Sequence, residues 1–170
     1  ISFFGLLYVI FLVNNIFLVV LEEGSLIPLY SAAITWVQII IIIISIPYIS
    51  GIYKIPQNFL VQNIIVFAST LIFNFYLIWA VYLDPDIRST GVEERTSLSL
   101  MLSFLVFTFG VATSFFPSES FLRALFISTI VMFNLGYTYA HYKNRINNRL
   151  VYEYLLICTI FFTFLIIFTP

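Results

Sequence analysis

The stretch LYSAAITWVQIIIIIISIPYI, residues 29–49, contains no charged side chain. Its run of β-branched isoleucines, residues 39–44, would favour a strand in water. The uncharged stretch is, however, long enough to cross the hydrocarbon core of a bilayer as a helix, which takes about 20 residues at about 1.5 Å each. A helix also satisfies every backbone N–H and C=O internally, as hydrocarbon requires. These residues therefore predict a transmembrane α-helix.

Charged residues punctuate the rest of the chain and delimit further stretches of the same kind. The predicted spans are Phe3–Leu21, Leu29–Ile49, Phe59–Leu83, Leu98–Phe116, Phe121–Ala140 and Leu150–Phe168. None of them shows the strict alternation that a transmembrane barrel requires. The predicted fold class is all-α: one integral membrane domain over residues 1–170, built as a polytopic transmembrane helical bundle of about six spans.

The connections between spans contain turn and capping signals. Pro47, Gly51 and Pro56 are expected to break the second span from the third, because proline and glycine disfavour a continuing helix. Ser118 or Ser120 is available as the N-cap of the fifth span.

The composition supports this class and excludes others. The 170 residues are 62% hydrophobic and only 9% charged, with a mean hydropathy of +1.08. A soluble domain has roughly 25% charged residues, so this chain has too few to cover a water-facing surface. The net charge of −1 excludes the basic footprint of a nucleic-acid-binding protein. The expected partners are membrane lipids and other integral membrane subunits, with no nucleic acid.

The choice of apolar residues points to an AT-rich genome. Phe occurs 20 times and Tyr 11 times, and both have AT-rich codons, whereas Gly and Pro, with GC-rich codons, occur 6 times each. Mitochondrial genomes and those of some bacteria share this bias. We therefore expect an integral protein of the mitochondrial inner membrane, with a bacterial inner membrane as the alternative.

The cations predict the orientation of the chain. The loops after the odd-numbered spans hold five cations: Arg88, Arg95, Lys143, Arg145 and Arg149. The opposite side holds only Lys54 and Arg123. By the positive-inside rule, the odd-numbered loops face the cytoplasm or matrix and both termini lie opposite.

Ionisable side chains inside a membrane are the usual pointers to function, and none lies at the middle of a predicted span. Arg123 and Glu153 enter about one turn from a span end, where long side chains reach the interface. If these residues are functional, Glu119 and Arg123, which are four residues apart, pair on one helix face, or Arg123 contacts an anion or a lipid headgroup. Glu119, Arg123 and Glu153 are therefore candidate lipid or partner contacts.

No cofactor site is predicted for this chain. A lone histidine, His141, cannot ligate haem twice or build a common zinc site. The single cysteine, Cys158, lies in an apolar run and is expected to be a small buried residue. We expect no catalytic residue, no cofactor and no metal bound by this chain alone.

Five amide side chains interrupt the apolar runs and need hydrogen-bond partners: Asn14, Asn15, Gln38, Asn74 and Asn134. An interhelical hydrogen bond in a membrane contributes about 0.6 kcal/mol. These amides are expected to join helices, either within one bundle or to a partner subunit. The alternative is that they line a path for a solute.

Two segments of the last third resemble the end of NADH dehydrogenase subunit 2, a membrane-arm subunit of respiratory complex I. They are LVFTFGVATSFFPSESFLR, residues 105–123, and ISTIVMFNLGYTYAHY, residues 127–142, followed by an apolar closing span. Gly110 with Phe115 and Phe116 is similar to a glycine-containing helix that leads to a Gly-Phe-Phe segment in that family. Val111 and Ala112 stand where the family has two prolines, and its intramembrane lysine has no counterpart. The resemblance implies a shortened or split form of the subunit.

Two functional hypotheses follow. The first is a structural or core membrane subunit of a respiratory-chain complex, in particular mitochondrial complex I. The second is a small oligomeric bacterial transporter or channel, in which Asn14, Asn74 and Asn134 converge on an aqueous cavity. A membrane enzyme is the least favoured class, because general acid–base catalysis needs positioned titratable groups.

Overall fold

The computed structural model describes residues 2–23, 28–84, 87 and 91–168. These residues form six α-helices and contain no β-strand. The helices are α1 (Ser2–Glu23), α2 (Leu29–Lys54), α3 (Phe59–Val81), α4 (Val92–Thr113), α5 (Ser120–Tyr142) and α6 (Asn148–Ile167). Each is long and apolar enough to cross a membrane. The chain is an all-α transmembrane bundle, as predicted.

Helix α5 is the centre of the bundle. It packs against α2, α3, α4 and α6, whereas α2 packs against α1, α3 and α5. Of the most apolar stretch of α5, 61% is buried inside the bundle, against 17% for α1 and 6% for α6. Helices α1 and α6 therefore form the periphery, with most of their apolar side chains facing outward from the bundle.

Different helix termini lie at the two ends of the bundle. At one end α1, α3 and α5 finish and α2, α4 and α6 begin, and we call this the odd-loop end. At the other, the even-loop end, α2 and α4 finish and α3 and α5 begin. Lys143, Arg145 and Arg149 lie at the odd-loop end, and Lys54 at the even-loop end. Arg88, part of the orientation prediction, lies outside the described residues.

The predicted break of the second span at Pro47 and Gly51 is wrong, because α2 continues through both to Lys54. An internal proline removes one helical hydrogen bond, but ending the helix inside hydrocarbon would expose several more backbone groups. The helix instead ends at Lys54, and its C-cap residue, Ile55, has an extended backbone (φ −69°, ψ 131°). That conformation suits a residue preceding a proline, here Pro56.

Two further boundaries differ from the prediction. Helix α4 begins at Val92 rather than Leu98, and its first turn includes Glu93 and Glu94. Acidic side chains are favoured there by the positive end of the helix dipole, so the charged residues are helical rather than loop. Neither predicted serine caps α5, since the N-cap is Glu119. Ser120 is helical, and its hydroxyl donates to the backbone oxygen of Tyr53 at 3.3 Å.

Candidate functional site: a buried polar seam and its two ends

A line of polar side chains runs through the interface of α3, α4 and α5, and we call it the polar seam. Its members are at most 2% exposed and recur every three to four residues along a helix, so those of each helix share one face. They are Thr70 and Asn74 on α3, Ser99 and Ser103 on α4, and Asn134 and Thr138 on α5. Of these six, only the two asparagines are among the amides singled out from sequence.

Two amides of the seam hold α4 from both sides. The Asn74 side-chain nitrogen donates to the Ser103 hydroxyl at 3.1 Å, which joins α3 to α4. The Asn134 side-chain nitrogen donates to the backbone oxygen of Leu102 at 2.7 Å, which joins α5 to α4. Because Leu102 and Ser103 are consecutive, the two bonds set the position of α4 along the membrane normal.

The same seam contains oxygen atoms that the protein leaves unsatisfied. Four buried side-chain oxygens have no hydrogen-bond partner among the described residues: those of Asn74, Asn134, Ser99 and Thr138. A buried polar group without a partner costs about 1–3 kcal/mol. By contrast, the Thr70 hydroxyl donates to the Val66 backbone oxygen of its own helix at 2.8 Å. The seam therefore has a satisfied part and an unsatisfied part.

Beyond the seam, at the even-loop end, lies another buried amide, Asn63, whose oxygen and nitrogen are both hydrogen-bonded. It is not among the mid-span amides predicted from sequence. Its oxygen accepts from the Tyr53 hydroxyl at 3.0 Å. Its nitrogen donates to the Phe59 backbone oxygen at 2.8 Å and to the Ser114 hydroxyl at 3.1 Å. Gly110 makes this possible, because a Cβ there would collide with the Asn63 amide.

The predicted pairing of Glu119 with Arg123 does not form between these two described residues. As the N-cap, Glu119 has an extended backbone (φ −62°, ψ 145°), so its side chain is not on the helix face that Arg123 occupies. The guanidinium of Arg123 instead lies 5.2 Å above the Tyr53 ring and donates to the Phe116 backbone oxygen at 3.5 Å. Glu119 is exposed at the surface of the bundle, where its role as a lipid or partner contact stays a prediction.

The odd-loop end contains a buried ion pair. The carboxylate of Asp84, 1% exposed, pairs with the ammonium of Lys143 at the C-terminal cap of α5. Nearby, the Arg95 guanidinium lies 3.6 Å above the Tyr82 ring, within the range of a cation–π interaction. Tyr82 in turn packs edge-on against Tyr142. The sequence contained a signal for this pair, because the third and fifth loops lie at one end of the bundle and contain the opposite charges of Asp84 and Lys143.

The remaining charged candidates at this end form exposed contacts. Arg149 donates to Glu153 at 2.9 Å across one turn of α6, so Glu153 has a partner within its own helix. His141 lies 3.1 Å from Glu94 and stacks on Tyr137. Nowhere in the described ranges do three or more His, Cys, Asp or Glu side chains come together as metal ligands would.

The three predicted amides outside the seam lie on α1 and α2. The Asn14 oxygen accepts from the Tyr76 hydroxyl at 2.7 Å, which joins α1 to α3. Tyr76 is two residues from Asn74, about 200° around α3, so Asn14 does not converge with the seam. The side-chain nitrogen of Gln38 is buried and finds no partner in the described part of the chain.

Asn15 differs from every other predicted amide, because it faces outward from the middle of α1. It lies in a shallow groove of about 420 Å³. The groove is lined by Tyr8, Phe11, Leu12, Asn14, Asn15 and Leu18. These positions recur every three to four residues, as in a face that packs against another helix.

No protein-family model, no curated protein and no solved structure matches this chain. The resemblance of residues 105–142 to NADH dehydrogenase subunit 2 therefore stays a prediction. What bears on function is the placement of the polar side chains: a buried seam across α3, α4 and α5, and the exposed amide of Asn15 near the middle of α1.

Proposed function

We propose that this chain is a structural or core membrane subunit of a respiratory-chain complex, in particular of complex I in the mitochondrial inner membrane. The AT-rich composition and the resemblance of residues 105–142 support the respiratory assignment. The outward-facing amide of Asn15 supports the more general part, namely that the chain works inside a larger membrane assembly.

The main support for this proposal is the position of Asn15 deep in the membrane-spanning part of α1. It lies near the midpoint of α1 (Ser2–Glu23), at a level where the bilayer offers no hydrogen-bond partner. An amide transferred to an apolar surrounding without a hydrogen bond costs about 2 kcal/mol or more. A transmembrane helix of another subunit, with a polar side chain at that depth, removes this cost. The helical spacing of the groove residues around Asn15 fits such a neighbour.

The sparse packing of α1 and α6 supports the same proposal. Helix α6 has one buried residue, Leu165, among its described positions. In lipid there is little hydrophobic drive to bury an apolar helix, so surfaces such as these are open to partner helices. Loops this short also leave little surface outside the membrane for a separate activity.

The test is purification from native membranes in a mild detergent, followed by identification of the copurifying subunits. We expect respiratory subunits to copurify with the wild-type chain. The substitution Asn15→Leu should lower their recovery at least several-fold, whereas Asn15→Gln, which keeps an amide, should retain it. A stable monomer that brings no respiratory subunit with it would contradict the proposal.

A second candidate, a small oligomeric transporter or channel, is supported by the polar seam, since Asn74 and Asn134 lie on facing helices. The transport site would not include Asn14, because Asn14 accepts a hydrogen bond from Tyr76, which lies on another face of α3. The test is solute flux into liposomes that contain the purified chain. Flux that persists unchanged in both Asn74→Leu and Asn134→Leu would count against this candidate, and Thr70→Val is the control within the seam.

A further inference from the structure

The unsatisfied oxygens of the polar seam lie within about one helical turn of each other along the membrane normal. Helices α4 and α5 run antiparallel, and the bond from Asn134 to Leu102 fixes their relative register. Thr138 lies one turn beyond Asn134, and Ser99 lies three residues before Leu102. At about 1.5 Å per residue, both move towards the odd-loop end, by about 6 Å and about 4.5 Å. Thr138 and Ser99 are therefore nearly level with each other on adjacent helices.

Among the described residues these four oxygens do not hydrogen-bond to one another. The amide oxygens of Asn74 and Asn134 only accept hydrogen bonds, and each amide nitrogen is already committed to α4. The hydroxyls of Ser99 and Thr138 each have a proton to donate and lone pairs to accept with. All four side chains are 0% exposed, so bulk solvent does not reach them. A ligand that donates to the amide oxygens and either donates to or accepts from the hydroxyls would satisfy all four groups.

We propose that the polar seam binds water molecules between α3, α4 and α5, at the level of Ser99, Asn134 and Thr138. Water donates to the two amide oxygens and both donates to and accepts from the two hydroxyls. A buried water typically makes about three hydrogen bonds to otherwise unsatisfied polar groups, which matches what this cluster offers. The site is independent of any partner subunit, so it goes beyond the proposed function.

The even-loop end provides a contrast within the same molecule. Asn63 is equally buried, yet its oxygen and its nitrogen are both satisfied by Tyr53, Phe59 and Ser114. A buried asparagine in this fold is therefore bonded directly where the protein supplies a partner. Four of the buried oxygens without a partner among the described residues lie in the seam, where the side-chain nitrogens of Asn74 and Asn134 both donate to α4.

The sign of one stability change tests the proposal. If Thr138 bonds a water, Thr138→Val removes a hydrogen bond and should lower the midpoint of thermal denaturation in detergent by about 2–4 °C. If its hydroxyl is unsatisfied, the same change removes a costly buried group and should raise the midpoint. Thr70→Val is the matched control, because the Thr70 hydroxyl bonds its own helix and its loss should change the midpoint by less than about 1 °C.

A measurement on the wild-type chain keeps the proposal falsifiable should the variants fail to fold. Solid-state NMR in lipid bilayers can detect magnetisation transfer from water to individual side chains. We expect transfer to Ser99, Asn134 and Thr138 and none to Thr70. Absence of transfer to the first three would overturn the proposal. Thermal stabilisation by NaCl but not by choline chloride would also overturn it, by assigning the oxygens to a monovalent cation.

Discussion

Helices α5 and α6 are neighbours of similar length, and the more hydrophobic of the two is the less buried. Helix α6 is the more apolar in sequence, yet 6% of its apolar stretch is buried, against 61% for α5. The buried face of α5 includes Ser128, Asn134, Gly136 and Thr138. In a bilayer an apolar side chain is already in a favourable solvent, so small and polar residues determine which helix is central.

The same contrast holds for the ion pairs near the ends of the two helices. Lys143 at the end of α5 pairs with Asp84, whose side chain is 1% exposed. Arg149 at the start of α6 pairs with Glu153, and their side chains are 84% and 62% exposed. A buried pair is costly to break because one charge is left without a partner, whereas water compensates an exposed pair.

The largest expected difference in the free energy of unfolding is between variants that break the Lys143–Asp84 pair and variants that break the Arg149–Glu153 pair. Lys143→Ala removes an ammonium that pairs with the buried Asp84 carboxylate and should reduce the free energy of unfolding by about 3 kcal/mol. Arg149→Ala should change it by less than about 0.5 kcal/mol. Unfolding by increasing SDS in mixed micelles measures both. Equal effects would mean that the Asp84 carboxylate is not buried as described.

A smaller difference is expected from removing one leucine from each helix. Leu135 on α5 is 1% exposed and Leu156 on α6 is 60% exposed. Leu135→Ala opens a cavity, and because the transfer component is small in lipid, the cost should be about 2 kcal/mol. Leu156→Ala exchanges one lipid-facing side chain for another and should stay within about 0.5 kcal/mol. The same SDS titration measures both stabilities. A Leu156→Ala variant less stable than Leu135→Ala would contradict the prediction.

The smallest expected effect concerns the contact between the two helices. A Cβ at Gly136 would collide with the Tyr154 ring of α6, so Gly136→Ala should displace that ring at a cost of about 1 kcal/mol. Gly51→Ala is the control, because nothing lies within 4 Å of its added Cβ. There the gain in helix propensity should stabilise α2 by about 0.5 kcal/mol. A stabilising Gly136→Ala would show that Tyr154 moves without cost.

The existence of the six helices followed from sequence, because uncharged runs of membrane-spanning length leave few alternatives. Their ends followed less well. Pro47 and Gly51 were expected to contribute to the break between the second and third spans, but α2 continues through both. Inside hydrocarbon, ending a helix leaves more backbone groups without hydrogen bonds than continuing it past a proline. The charged residues Glu93 and Glu94 were expected in a loop, yet they form the first turn of α4, where the helix dipole favours them.

The polar contacts were only partly accessible from sequence. An amide in an apolar run signals a need for a partner, which singled out Asn74 and Asn134, but hydropathy does not reveal the partner. Asn63 was missed because it lies near the start of its span, where an amide is usually solvated. Asp84 was missed because it follows the helix, and its burial depends on how α3 and α5 end side by side.

The attachment of α6 to α5 has a consequence for biogenesis. The chain leaves the ribosome in order, so α1 to α5 enter the bilayer before α6 is synthesised. Because α6 packs principally against α5, the seam and both of its ends can assemble while this segment is still in the translocon. Insertion of α6 then adds a peripheral helix to a bundle whose internal hydrogen bonds already exist.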